Sequence, residues 1–305
     1  MEPHRRAAPQ LDAADVRQGV GRELRSVHYK GRLVLWQAHV PILNVLYDDG
    51  TSFRDWQDEE TPFQAKGSDP VGPGWRLCSE PPATIIEAGT DAGDFQGVAL
   101  WYADGELRIV SELQAAWYRY VSDWRLGDDG TIKPRFGMAG TRNPRTCKRH
   151  QHHVYWRLDF DIDNAGNDVV QQSRKFFPGR SRWTTLVLEA TRKRSPLTSW
   201  RVLDRESNRG YRIVPGVADG TADDYGVSDL WFLRYRSDEV DDGVDIVTAP
   251  ASETQTHISK FVNGESIDGT DVVVWYAGHF VHDEKHPGVT QGHIIGPELR
   301  AVNWS

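Results

Sequence analysis

The segment RHQHHVYWRLDFDID, residues 149–163, carries His150 and His152 one residue apart at the head of an alternating run. On a strand, residues i and i+2 project from one face about 7 Å apart, so these two imidazoles point together while His153 turns the other way. Two imidazoles are an incomplete site for copper or zinc, which take three or more ligands. A third is on offer in WYAGHFVHDEKHPG, where His279, His282 and His286 follow another strand-like run. A completed site would support copper redox chemistry or activation of a zinc-bound water. Without the third ligand, His-x-His is a polar pair on a strand.

Strands must position these residues. GRLVLWQAHV and HHVYWRLDFDID alternate, and RWTTLVLEATR, SWRVLD, GYRIVPG, DLWFLRYR and DVVVWYAGHFV continue the series. LYDDGTSF, ADGE, GDDGT and the stretch Asn164–Asn167 are turn signals between them. Short strands at short spacing along the chain predict an all-β fold, a large antiparallel β-sandwich, over residues 23–305. Residues 1–22 read as a tail or short helix. PGVADGTADDYG reads as a long exposed loop, and RKFFPGRSRW as a solvated hairpin.

The 305 residues include 12 Trp, 10 Tyr and 10 Phe at 38% hydrophobic content, enough for a sizeable core. A net charge of −8 argues against a nucleic-acid partner. No apolar run has the length of a membrane span, and the N-terminus shows no apolar leader. Only Cys78 and Cys147 occur, too few for a disulfide framework. A cytoplasmic protein is the expectation.

Taken with their surroundings, these motifs resemble the C-terminal catalytic domain of the copper amine oxidases. His150, His152 and the RLD at Arg157–Asp159 match the family's His-x-His, four residues, Arg-Leu-Asp. DVVVW followed by His282, seven residues after Trp275, matches its late segment; SDLWFLRY, IDGTDVVVW and SDWRLGDDGTI also stand in the family's order. The resemblance covers most of residues 26–285. It implies His150, His152 and His282 as copper ligands, and a homodimer. It also implies O2-dependent oxidation of a primary amine to an aldehyde, with H2O2 and ammonia released.

The resemblance further implies that Tyr118, in WYRYVSDW, holds the position of the tyrosine converted to the cofactor topaquinone, with Tyr120 as the second tyrosine. Trp117 replaces the family's Asn and Arg119 its acid. Tyr47 matches a tyrosine that hydrogen-bonds the quinone. With RDWQ in register, the proton-abstracting carboxylate's position falls on Thr61, which cannot act as a general base; Asp58, Glu59 and Glu60 are the neighbouring carboxylates. Ala99 replaces a Cys that would pair with the Cys78 equivalent. Asp159 and Asp271, with the carbonyls of Phe160 and Val272, match a peripheral second metal site suited to Ca2+ and lacking a third carboxylate. A copper oxidase with unmodified Tyr118, a zinc hydrolase and a non-catalytic copper-binding homologue are the alternatives.

Overall fold

The computed structural model describes residues 23–55, 75–77, 98–115, 118–140, 148–176, 180–244, 246, 248–283 and 293–304. Among them, eight strands form one sheet and twelve a second, and the two pack face to face as the expected sandwich. Pairing is antiparallel except where Trp75–Leu77 runs parallel to Val98–Ala103. Four strands carry the site: β1 (Arg32–Tyr47), β2 (Tyr118–Gly127), β3 (His150–Phe160) and β4 (Val272–His282). β3 lies between β1 and β4 at the centre of the first sheet, and β2 belongs to the second.

The alternation seen in the sequence sorts residues between the faces of the first sheet. Val154, Trp156, Leu158 and Phe160 of β3, with Val272, Val274 and Tyr276 of β4, enter the core between the sheets and meet Tyr118, Tyr120 and Trp124 of β2. Tyr155, Val273, Trp275 and Ala277 point the other way, into a second apolar cluster with Ile42, Trp231, Leu233 and Ile258. Both faces of β3 and β4 are therefore buried. A polar residue on either strand is desolvated and must find a partner.

Proline in the long central strand β1 fits because Pro41 falls where the β1–β3 register shifts, between His39 and Ile42, a place that tolerates a missing N–H. RKFFPGRSRW joins Asp168–Phe176 to Arg180–Leu186, paired antiparallel, in line with the hairpin reading. PGVADGTADDYG is a loop, but the expectation of exposure is wrong for its anchoring residues. Asp219 is buried and accepts from Gly216 N–H at 2.8 Å, Gly296 N–H at 2.7 Å and the Tyr276 hydroxyl, while Tyr225 is buried too. Carboxylates that satisfy loop N–H groups draw the segment inward.

One buried ion pair beside this sheet leads to a stability prediction. Arg54 and Asp242 have no exposed side-chain surface; Arg54 Nη1 donates to Asp242 Oδ1 at 2.9 Å and its Nε to the Thr254 carbonyl at 3.0 Å. Arg54→Met strands a buried carboxylate and is expected to destabilise the fold by about 3–5 kcal/mol in urea unfolding. Arg54→Met/Asp242→Leu is expected to recover only part of that loss, because Asp242 also accepts the His257 N–H at 2.8 Å and the Thr256 hydroxyl at 3.2 Å.

Candidate metal centre

The cross-strand register assembles three imidazoles. His150 on β3 stands directly opposite His282 on β4 on one side and Tyr47 of β1 on the other. His152 follows two residues on, on the same inner face, opposite Phe280. All three rings are buried, and one nitrogen from each lies within 4.8 Å of the others. Ring centroids are 4.9 Å apart for His150–His152, 4.7 Å for His150–His282 and 6.4 Å for His152–His282. Of the three C-terminal candidates, His282 joins the cluster, His279 turns to the opposite face, and His286 lies outside the described residues.

Tyr118 reaches the cluster from the facing sheet. His150 donates from Nδ1 to the Lys148 carbonyl, which leaves Nε2 as an acceptor for the Tyr118 hydroxyl. The same phenol oxygen lies 3.0 Å from His282 Nδ1. Tyr120, two residues on, stacks on Tyr118 with centroids 5.5 Å apart and planes 6° apart, as expected for i and i+2 on one face. Tyr47 stacks on His150 at 4.6 Å. The side chain of Arg119 and the whole of Trp117, Asp58, Glu59, Glu60 and Thr61 lie outside the described residues, so the base position is not placed.

The residues fit a metal ion. His152 is fully buried, yet neither of its ring nitrogens has a hydrogen-bond partner among the described residues. An imidazole left so would cost free energy that coordination recovers. Burial pulls His150 down to about 4, with the neighbouring His282 adding to the effect, and holds His152 well below the ordinary histidine value. His150 and His152 are therefore neutral near pH 7, as a ligand must be.

A second cluster lies at the other end of β3. Asp159, Asp161 and Asp271 each offer an oxygen within 4.8 Å of the others. Asp161 supplies the third carboxylate that the sequence reading did not find; the signal was present in RLDFDID, where Asp159 and Asp161 flank Phe160. Phe160 and Val272, the expected carbonyl donors, pair directly across β3 and β4. Burial raises Asp159 and Asp161 to about 7 and Asp271 to about 6, and it also raises the neighbouring Asp168. One Oδ1 on each of the three, and both oxygens of Asp168, lack a hydrogen bond among the described residues. This is a fit for a hard cation with oxygen ligands. A cation must displace protons from these groups, so the apparent Ca2+ affinity is expected to climb as pH rises through 6 to 7 and to level off above. Calorimetric titration in buffers of different ionisation enthalpy would read the released protons; an affinity flat from pH 5 to 8 contradicts the assignment.

Comparison with known proteins agrees with this geometry. The chain is 26% identical over 235 residues to Primary amine oxidase 2 of Arabidopsis thaliana, covering 61% of this chain and 35% of the relative. It is 24% identical over 261 residues to Amine oxidase [copper-containing] 2 of Mus musculus, covering 66% and 34%. The chain thus spans about a third of the length of the curated relatives it matches. Among solved structures, a copper-containing benzylamine oxidase from Hansenula polymorpha superposes with a TM-score of 0.68 at 16% identity, over 93% of this chain and 57% of that one. An amine oxidase from Aspergillus nidulans gives 0.65 at 16% identity, over 100% and 55%. No protein-family model matches the chain.

Proposed function

We propose that this chain, a divergent copper amine oxidase catalytic-domain-like protein, is an O2-dependent copper oxidase acting on a small amine. His150, His152 and His282 would hold the metal. The observation that carries this reading is the buried three-imidazole set with a phenol hydroxyl inside it.

The proteins this chain resembles, a copper-containing amine oxidase of Mus musculus and a copper-containing benzylamine oxidase among them, favour copper over zinc. Imidazole nitrogens with a phenol oxygen beside them suit Cu(II). Nothing among the described residues places a carboxylate to polarise a zinc-bound water at this cluster.

The chain's own residues prepare the site. The Lys148 carbonyl fixes the His150 tautomer and aims its Nε2 inward, and Tyr47 holds that ring flat. Tyr120 braces Tyr118, keeping the phenol oxygen between His150 and His282. Two buried sheets exclude bulk water. Copper would supply the one-electron chemistry with O2, and a topaquinone formed from Tyr118 would supply the carbonyl that takes the amine.

A second reading keeps Tyr118 unmodified and assigns substrate oxidation to copper alone. Trp117, Arg119 and Thr61, in place of the residues the resemblance calls for, favour it. Asp58 and Glu60 are the carboxylates nearest the base position in sequence. We also propose Ca2+ at Asp159, Asp161 and Asp271, a homodimer, and a cytoplasmic location, the last on the sparse cysteine content alone. The function is tested by incubating copper-loaded protein with a panel of primary amines in air and measuring H2O2. Peroxide release that depends on amine and copper supports it; copper-loaded protein inert across aliphatic and aromatic amines refutes the amine assignment.

A further inference from the structure

On the face of the first sheet turned away from the three-imidazole cluster, a polar row crosses three strands. Asn44 of β1, His153 of β3 and His279 of β4 stand directly opposite one another, each at most 2% exposed. None takes part in the centre described above. His153 Nδ1 and His279 Nδ1 are 2.7 Å apart, so one donates and the other accepts.

The surroundings decide which. His279 Nε2 makes a bent contact at 3.2 Å with Asp229 Oδ1. The buried Asp229 carboxylate accepts the backbone N–H groups of Arg194 at 2.5 Å and Ala222 at 2.7 Å and sits 3.5 Å from the Arg194 guanidinium. A carboxylate so placed keeps the proton of His279 on Nε2, leaving Nδ1 to accept. His153 must then donate from Nδ1, which leaves the lone pair of its Nε2 outward. That nitrogen is buried, has no hydrogen bond among the described residues, and lies 3.9 Å from Asp223 Oδ1. Two acceptors face each other across a gap too long for a hydrogen bond. Directly across from His153 on β1, both amide atoms of the fully buried Asn44 also lack a partner among the described residues.

We propose that His153 Nε2, the Asp223 carboxylate and the Asn44 amide oxygen form a second transition-metal site, for a divalent ion of the zinc class, with His279 and Asp229 as positioning residues behind it. Ligands held at about 2.0–2.2 Å from one ion lie roughly 3–4.3 Å apart, which spans the 3.9 Å gap. A carboxylate behind an imidazole is the arrangement that orients metal-bound histidines, extended here by one ring. The loop is shaped to the pair: a Cβ at Gly226 would stand 2.7 Å from His153 Nδ1 and 2.9 Å from His279 Cε1. Asp223 also lines an open cavity of about 430 Å³ with Leu46, Asp224, Tyr225, Ser252 and Gln255.

The test uses full-length protein carrying His150→Ala/His282→Ala, which empties the first centre, in excess Ca2+ to occupy the carboxylate cluster. Titration with Zn2+ by calorimetry, and with Co2+ by visible absorption, is expected to show one remaining equivalent. In that background, His153→Leu is expected to abolish it and Asp223→Asn to weaken it at least about tenfold. His279→Gln is expected to weaken it about 10–100-fold while leaving the stoichiometry at one. Absence of the remaining equivalent, or binding unchanged by both His153→Leu and Asp223→Asn, overturns the site. Asp223 is 39% exposed, so its variant decides the matter if His153→Leu does not fold. The result is independent of what the first centre catalyses.

Discussion

Replacing His282 by alanine is expected to cost the protein the copper ion held at the three-imidazole centre, read after gel filtration and metal analysis as the loss of one copper per chain. His282 joins the cluster through one cross-strand pairing, opposite His150, from a strand more than a hundred residues away in sequence. Without it two imidazoles and a phenol remain, one nitrogen donor fewer than a stable copper site needs. Outer-shell changes at metal sites already cost about 10–100-fold in affinity, so losing a ligand should exceed the upper end of that range. His150→Ala is expected to match it, with the added loss of the ring on which Tyr47 stacks. His293→Ala makes the control, since its ring packs on Phe280 and lies 5.7 Å from His282 without belonging to the three-nitrogen set. It is expected to retain copper. A copper content in His282→Ala equal to that of the wild type would remove the central assignment.

Strand parity explains why this centre was legible in the sequence. The side-chain period of a strand is two, so His150 with His152, and Tyr118 with Tyr120, share faces wherever their strands lie. The period also separates His153 from His152. Parity does not say which strands are neighbours. That β3 and β4 lie side by side, with His282 opposite His150 and His279 opposite His153, is a long-range register that local periodicity leaves open. Asp161 was missed for a related reason: it follows the last residue of β3, where alternation no longer fixes direction, and it meets Asp271 only because β4 begins beside it. The buried anchors of the 215–226 loop were hidden too, because Asp219 takes its partners from Gly296 and Tyr276, far along the chain.

The two faces of β3 explain why so many polar groups lie inside one sheet. Inner positions hold His150 and His152; outer positions hold His153, Arg157 and Asp159, all buried. A strand covered on both sides normally reads as a continuous apolar run. Here the apolar residues concentrate in the middle of the strand, and the polar residues gather toward its ends, where loops and the facing sheet supply partners. Ligands at strand ends meet loops and the facing sheet while their backbone stays in a rigid ladder, the combination a binding site needs.

Tyr118→Phe is expected to separate the two versions of the proposed chemistry. The hydroxyl contacts both His150 and His282, so its removal takes an oxygen from the cluster and leaves the three imidazoles in place. Copper binding should therefore persist at one equivalent. Wild-type protein loaded with Cu2+ in air is expected to turn pink, and the peptide containing Tyr118 to gain two oxygen atoms and lose two hydrogens. Tyr118→Phe should stay colourless and lose amine oxidation entirely. If the wild-type peptide keeps an ordinary tyrosine mass while copper-dependent peroxide release continues, the quinone version is wrong, and oxidation by copper beside an unmodified phenol stands in its place. The local geometry bears on both outcomes. Tyr118 is clamped between Tyr120 and the histidine rings, with centroids 5.5 Å from Tyr120 and 4.7 Å from His152. That clamp holds the oxygen beside His150 and His282, whereas a working quinone would have to turn its reactive carbon toward the amine. Whether Tyr120→Ala, by loosening the stack, speeds or slows colour development would show which of the two the site is built for.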